Sequence, residues 1–336
     1  MKIMSCTYNC CEEYYYKRIF VVSIIILFII IQLSMNKLNC RYKYFDTSKE
    51  NINFDISFDY IHYQADLVTE KMKNESGWIL NLNTVFFING LIRKHKPKNC
   101  LEIGVARGGS SILILNAIKD LPDSRLVSMD LNILFKKDRI GYLVEKNFPE
   151  LMGKWSLFIG DMPHKFLSKL NIKYDFLFLD TAHTSPGEFF NLIEVLPFLK
   201  EKAIVVLHDT IWHLHLTLRT NKKLNEIKVM PTQIYLMSSL IGEKILINHD
   251  LYGFENVGAI RLAEKQQNYY LNYFLLLMNV WQYMPSNKHL IELREFIKKY
   301  YKKKIYLRIF DVSLNYNKRF FNNLIEGRYK LNNAEK

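Results

Sequence analysis

Two groups of residues in this chain of 336 amino acids carry side chains spaced for chemistry. The first is the run Leu101-Glu102-Ile103-Gly104-Val105-Ala106-Arg107-Gly108-Gly109-Ser110, in which a carboxylate at the end of a β-type run precedes spaced glycines and a segment rich in Ile and Leu. Gly104 and Gly108 let backbone approach a ligand where a Cβ would collide, and a helix starting near Gly109 presents free N–H groups. A pyrophosphate-binding loop would read G-x-G-x-x-G. Here the spacing is G-x-x-x-G behind a carboxylate, Glu102, that can meet a cationic group electrostatically, which argues against a nicotinamide oxidoreductase. Asp130 closes the run Val127-Ser128-Met129-Asp130, where a carboxylate can accept both hydroxyls of a ribose.

The second group is Asp180-Thr181-Ala182-His183 followed by His208-Asp209-Thr210. Asp180, His208 and Asp209 suit a divalent cation such as magnesium or manganese, with open positions for substrate oxygens. Such an ion lowers the pKa of a bound hydroxyl and orients it for attack. The catalytic candidates are His183, Asp180 and His208, with His183 as general base, because a neutral imidazole near pH 7 can remove a hydroxyl proton. The competing readings are ordinary ones: His183 as a turn cap, His208 as a satisfied strand-end residue, His164 as a helix cap near Asp161, and His213 and His215 as surface residues. No nucleophilic Ser or Cys is evident.

The elements needed to position these groups are legible as an alternation. Short β-type runs at Asn99–Ile103, Arg125–Asp130, Trp155–Ile159, Asp175–Asp180 and Ala203–His208 are separated by segments of helical length, the pattern of a parallel sheet flanked by helices. An apolar stripe from Trp78 predicts a helix ending before Pro97. A helix over Thr232–Ile241 leads to strands at Lys244–Asn248 and Val257–Leu262, which together suggest a hairpin-like antiparallel edge. The fold class is therefore α/β: a Rossmann-like, doubly wound, mostly parallel seven-stranded sheet with an antiparallel edge strand. The acidic and glycine features all fall at the C-terminal ends of its strands, the rim where open α/β sheets bind ligands. Beyond Ala263 the sequence predicts helices over Tyr269–Tyr283 and Leu290–Leu307 in a basic, aromatic tail.

Glu102, Gly104, Gly108 and Ser110 resemble, position for position, motif I of the class I S-adenosylmethionine-dependent methyltransferases, E/D-x-G-x-x-x-G-x-S. The resemblance implies that this segment lines the methionine part of S-adenosylmethionine, that Asp161 in Gly160-Asp161-Met162 sits beside the adenine, and that Asp180 faces the reacting methyl. The D-x-x-H followed by V-V-L-H-D-T is similar to the group containing macrolide-sugar and rhamnosyl O-methyltransferases and the cephalosporin-hydroxylase-like proteins, over roughly Glu102 to Leu262. His208 departs from that pattern where many relatives have a carboxylate, which leaves magnesium weakly bound, replaced by manganese, or absent. The implied activity is methyl transfer to a hydroxyl of a small-molecule or glycan acceptor. The alternative is a non-catalytic, membrane-attached binding or assembly protein that keeps the fold.

Composition adds the rest. Hydrophobic residues make up 49% of the chain and charged residues 24%, enough to bury a core. Ile19 to Met35 is an apolar run of about 17 residues, the lower limit for a spanning helix. With no small-residue cleavage site after it, an uncleaved anchor is expected. Lys37, Arg41, Lys43 and Lys49 slightly outweigh Lys2, Lys17 and Arg18, which puts the C-terminal side in the cytoplasm. The expected organisation is a tail (1–18), a transmembrane anchor (19–35), a linker or cap (36–72), a methyltransferase domain (73–262) and a basic helical extension (263–336). Cys6, Cys10, Cys11, Cys40 and Cys100 form no disulfide or zinc pattern, although Cys10 and Cys11 stand where palmitoylation occurs. The net charge of +13 lies mainly outside the domain, and no N-P-P-Y-like base-flipping loop is present, so nucleic acid is disfavoured. The basic tail reads equally as a face on anionic phospholipid or as a solvated helical cap. Oligomeric state is not legible.

Overall fold

The buried character of the strands decides where everything else goes. Tyr174–Leu179 (β7) is apolar at five of its six positions, and Asn99–Ile103 (β2) is buried from Cys100 onward, as central strands covered on both faces must be. In the computed structural model the described residues are 42–45, 68, 70–72, 80, 82–210, 232–247 and 256–325. The chain divides into two units, Met1–Tyr42 and Lys43–Lys336. Apart from Tyr42 the first unit lies outside the described residues, as do the expected anchor at Ile19–Met35 and His213 and His215. Among the described residues no helix is long and apolar enough to cross a membrane.

Five strands run parallel in the spatial order β6 (Trp155–Ile159), β3 (Arg125–Asp130), β2, β7 and β8 (Leu199–His208). This is the 3-2-1-4-5 order of a doubly wound sheet, and its direction of build reverses between β2 and β7. β2, β3 and β6 keep the bounds expected from sequence, while β7 starts one residue earlier and β8 extends back to Leu199 with an irregular register near its start. Beyond β8 stand β10 (Val257–Leu262), antiparallel to both neighbours, and then β9 (Gly242–Ile247). β10 and β9 thus form the antiparallel edge expected from sequence, with β10 joined to β8 and β9 further out. An eighth strand, β1 (Tyr42–Phe45), flanks β9, in a stretch read from sequence as linker. β4 (Leu134–Phe135) and β5 (Asp138–Arg139) form a separate two-stranded ribbon.

The helices cover the sheet as their apolar patterns require. α1 (Leu82–His95) ends in Arg93, Lys94 and His95, cations that suit a helix C-terminus. It packs on α2 (Gly109–Ile118), which is buried from Ser110 through Ile118 and so is a central helix, apolar on nearly all sides. α3 (Tyr142–Asn147) continues that layer, while α4 (Pro163–Leu170), α5 (Gly187–Val195) and α6 (Thr232–Ser239) follow β6, β7 and the 211–231 connection.

The C-terminal tail differs from its sequence expectation. The single helix expected over Tyr269–Tyr283 is a short α7 (Tyr270–Leu275) followed by a tight turn and extended chain from Asn279, and the one expected over Leu290–Leu307 is two, α8 (Asn287–Tyr300) and α9 (Lys304–Ile325). Helical periodicity alone cannot locate such breaks, which occur where Tyr301 and Trp281 turn inward as buried anchors. Tyr270, Phe274, Phe296, Tyr301 and Tyr306 form an aromatic cluster of mostly edge-on contacts, and the Tyr301 hydroxyl donates to the Ile193 carbonyl of α5 at 2.5 Å. The inward aromatic residues of the tail thus serve packing against the domain.

Gly104 sits at the reversal point with φ +91°, and a Cβ there would lie 1.7 Å from the carbonyl oxygen of Asp180. Gly104→Ala is expected to destabilise the chain by more than about 4 kcal/mol or to prevent folding. Gly153→Ala, at a site with nothing within 4 Å, should stay within about 0.5 kcal/mol of wild type in chemical denaturation.

Candidate active site

The glycine turn is built from three backbone constraints. The Gly104 N–H donates to Met129 O at 2.9 Å, the Asp180 N–H donates to Ile103 O at 3.0 Å, and Gly108, with φ +97°, opens α2. Asp130 holds the turn itself: its Oδ2 accepts from the amides of Val105 (3.0 Å) and Ala106 (3.1 Å), and its Oδ1 accepts from Asn132 N at 2.9 Å. Asp161 lies two residues beyond β6, its Oδ1 accepting from Met162 N at 2.9 Å and pairing with Lys165 at 2.9 Å. Burial nudges its pKa upward, but Lys165 and the Met162 amide outweigh that and hold it below the usual carboxylate range. Asp130, Asp161 and Asp180 therefore share the C-terminal rim of the parallel strands.

Glu102 takes a different place from the one expected of it. Its side chain is fully buried, with Oε1 accepting from Ser110 Oγ (2.6 Å) and Oε2 from Ser111 Oγ (2.6 Å) and Ser128 Oγ (2.5 Å). Trp155 Nε1 in turn donates to Ser128 Oγ at 2.8 Å. Burial pushes the Glu102 pKa up to about 7, against the pull of the three hydroxyls. The carboxylate fastens α2 and β3 to β2 beneath the turn, with both of its oxygens engaged by serine hydroxyls.

Beside the turn lies a cluster of carboxylates and imidazoles. Asp180 follows β7, and Asp209 follows β8 in a left-handed conformation (φ +57°). His183, also left-handed (φ +52°), swings its ring back so that Nε2 lies 2.8 Å from Asp209 Oδ2 and 3.5 Å from Asp180 Oδ1. Asp180, His183 and Asp209 each offer a ligand atom, all within 4.8 Å of one another, a donor set suited to a divalent cation. The sequence expectation grouped Asp180, His208 and Asp209 instead. His208, 5% exposed, packs at 6.1 Å from the Phe178 ring and sets Nδ1 3.1 Å from Asp180 Oδ2 and 3.5 Å from Asp209 Oδ1, so it backs Asp180 from the interior. Pairing of Leu179 with Leu207 puts Asp180 alongside His208, whereas His183 reaches the cluster only through its left-handed backbone, which spacing does not reveal.

Glu188 is the residue sequence reasoning missed. It is fully buried at the start of α5, and its Oε1 accepts from His183 N (3.0 Å) and Gln233 Nε2 (2.7 Å) and lies 3.1 Å from His183 Nδ1. Its Oε2 accepts from Thr232 Oγ1, and Asn256 Nδ2 donates to Asp209 Oδ1. An acid in the first turn of a helix reads as a dipole partner, so only its burial marks Glu188. Burial alone would lower the His183 pKa, but Asp209, Glu188 and Asp180 raise it to about 10. Asp180 likewise raises His208 against its burial, and Asp209 is held below its ordinary value by His183 despite burial. The surrounding carboxylates thus favour the protonated ring of His183 in this ion-free arrangement, whereas the reading from sequence takes it as a neutral base.

Strand order, a glycine-only reversal point and an acidic rim define a Rossmann-like domain, a fold in which ligands are generally taken across the C-terminal ends of the strands. Residues 101–210 match the family model of a methyltransferase domain, so the chain carries a methyltransferase domain, in agreement with the motif at Glu102 to Ser110. No curated protein matches the chain. Similar solved structures include the O-methyltransferase TomG from Streptomyces achromogenes, crystallised with SAM (15% identity, 62% of this chain and 95% of that chain, TM-score 0.42). A putative caffeoyl-CoA O-methyltransferase from Staphylococcus aureus (19% identity, 62% and 98%, TM-score 0.44) and the SAH-bound Podospora anserina methyltransferase PaMTH1 (16% identity, 68% and 100%, TM-score 0.44) are others. Identities this low transfer neither residue roles nor substrates.

The raised pKa of Glu102 has a definite sign. Between its ordinary value of 4.5 and about 7 the folded chain keeps a proton that the unfolded chain releases, so stability falls as pH rises through that window, by roughly 3 kcal/mol at most. Glu102→Gln is expected to lose this slope in urea denaturation between pH 5 and 8. An unchanged slope would show that Glu102 ionises freely.

Proposed function

We propose that the chain is an S-adenosylmethionine-dependent O-methyltransferase acting on a hydroxyl of a small-molecule acceptor. The observation that carries this reading is the shared rim, where the Gly104 turn held by Asp130 abuts the Asp180, His183 and Asp209 cluster through the Asp180 backbone. The cofactor supplies a methyl group made electrophilic by its sulfonium. The chain's own part is placement: the turn admits backbone close to the ligand, Asp130 fixes the turn and borders the ribose position, and Asp161 borders the adenine position. Methyl transfer depends mainly on alignment and exclusion of water, which such a crevice provides without a nucleophile.

The acceptor hydroxyl is placed against the Asp180, His183 and Asp209 cluster. These three residues would hold a magnesium or manganese ion, which would lower the pKa of a hydroxyl bound to it. Because the same His183 nitrogen that faces Asp180 and Asp209 carries a proton in the ion-free arrangement, metal affinity should rise with pH. His208 supports Asp180, and Glu188 orients His183 as an outer partner commonly does for a ligating imidazole. A sugar or glycan acceptor and a tether through Ile19–Met35, with the domain on the cytoplasmic side, complete the reading; they rest on the sequence resemblance and on the apolar run with its flanking charges.

Calorimetry with S-adenosylmethionine tests the cofactor site. Wild type should bind, and Asp130→Ala, which removes the acceptor for three amides, should bind at least about tenfold more weakly; equal affinity would remove Asp130 from the site. For the metal, transfer of labelled methyl to a panel of sugars and phenols should stop under strong chelation and return with manganese. Activity indifferent to chelation would refute the metal, and binding without transfer to any acceptor would favour a non-catalytic protein.

A further inference from the structure

The extended segment between α7 and α8 leaves the helical layer to touch the loop that carries His183. The Gln282 N–H donates to Ser185 O at 2.9 Å, and the Gln282 side-chain Oε1 accepts from Ser185 N at 3.0 Å. Ser185 is fully buried, so both of its backbone groups need these partners. One residue further, the Tyr283 hydroxyl stands 2.7 Å from where a Cβ on Gly187 would lie, which brings the segment against the start of α5.

Gln282 is itself held rigidly. Trp281 before it is 1% exposed, donates from its backbone N–H to Asn317 Oδ1 (2.8 Å) and from its indole to Leu277 O (3.0 Å), and meets Phe190 edge-on at 5.4 Å. Asn317, buried on α9, also donates to Ser313 O at 2.9 Å. A chain of ordered groups therefore runs from α9 through Trp281 and Gln282 to Ser185, two residues from His183. His183 has φ +52°, a conformation that a side-chain-bearing residue keeps only when its surroundings over-determine it. Glu188 fastens the loop from within by accepting the His183 amide; Gln282 fastens it from without.

We propose that Gln282 is a positioning residue: by holding Ser185 it sets the His183 ring against Asp180 and Asp209, which makes the C-terminal extension a working part of the site. The inference rests on reading that cluster as the metal site of the proposed reaction. The contact needs an acceptor at the side-chain end, not merely bulk, and that distinguishes positioning from packing.

The test uses the full chain with Gln282→Met, Gln282→Ala and Gln282→Glu, read by amide hydrogen exchange over residues 181–188 and by manganese binding in electron paramagnetic resonance. Met and Ala remove the acceptor and are expected to speed exchange in the loop, and to weaken manganese binding, each by about fivefold to tenfold, as loss of one buried hydrogen bond implies. Exchange in β7 and β8 stays at the wild-type rate. Glu keeps an acceptor and should stay within about twofold of wild type in both. The proposal is overturned if Met matches wild type, if all three variants are equally defective, or if the loop loosens while manganese affinity holds. Should wild type bind no manganese, the metal reading fails by itself, and loop exchange alone then sustains or overturns the role of Gln282.

Discussion

At the point where the parallel sheet reverses its direction of build, the backbone of Gly104 passes so close to the Asp180 carbonyl that no side chain fits between them. The candidate site residues among the described part of the chain are arranged about that seam. On one side lie the turn held by Asp130 and the start of α2; on the other, one residue after β7 ends, lie Asp180 and the loop that brings His183 back. Because both sides share a backbone contact, the glycine turn and the carboxylate–imidazole cluster are registered to one another, the kind of fixed spacing that bringing two reacting groups into line requires.

Buried charge is handled in two ways on the two sides of the seam. Among the described residues Glu102 is buried with no cation beside it, so burial raises its proton affinity even though three serine hydroxyls satisfy its oxygens and pull the other way. In the cluster Asp180, Asp209 and Glu188 surround His183, so the imidazole gains a proton and the Asp209 carboxylate stays ionised. The first arrangement ties elements together; the second concentrates negative charge where a cation or a developing charge can be met. Low dielectric strengthens both, which is why every one of these groups has a partner.

The C-terminal helices connect packing to this chemistry. Their aromatic cluster fixes them on α5, the Arg294–Asp311 pair (2.9 and 3.0 Å) joins α8 to α9, and Lys165 bridges Asp161 to Glu292 of α8. The extension thus touches the domain both at the Asp161 corner of the rim and at the Ser185 loop. An extension read as a basic appendage is in contact with two of the elements that carry site residues.

The sequence by itself determined the strands of the parallel sheet and the rim, though not the breaks among the C-terminal helices. Alternation of short apolar runs with helical segments placed β2, β3 and β6 to the residue, and the glycine spacing located the turn, because local periodicity and backbone freedom are properties of neighbouring residues. What only the tertiary structure decided was which polar groups face each other. Glu102 turns inward because Ser110, Ser111 and Ser128 converge on it from two elements. His183 replaces His208 among the cluster's outer groups because one left-handed residue reverses its direction, and Glu188 and Gln282 enter from a helix start and a distant tail. Such contacts depend on strand register and on side-chain direction across 5 to about 100 residues of separation, which no local pattern encodes.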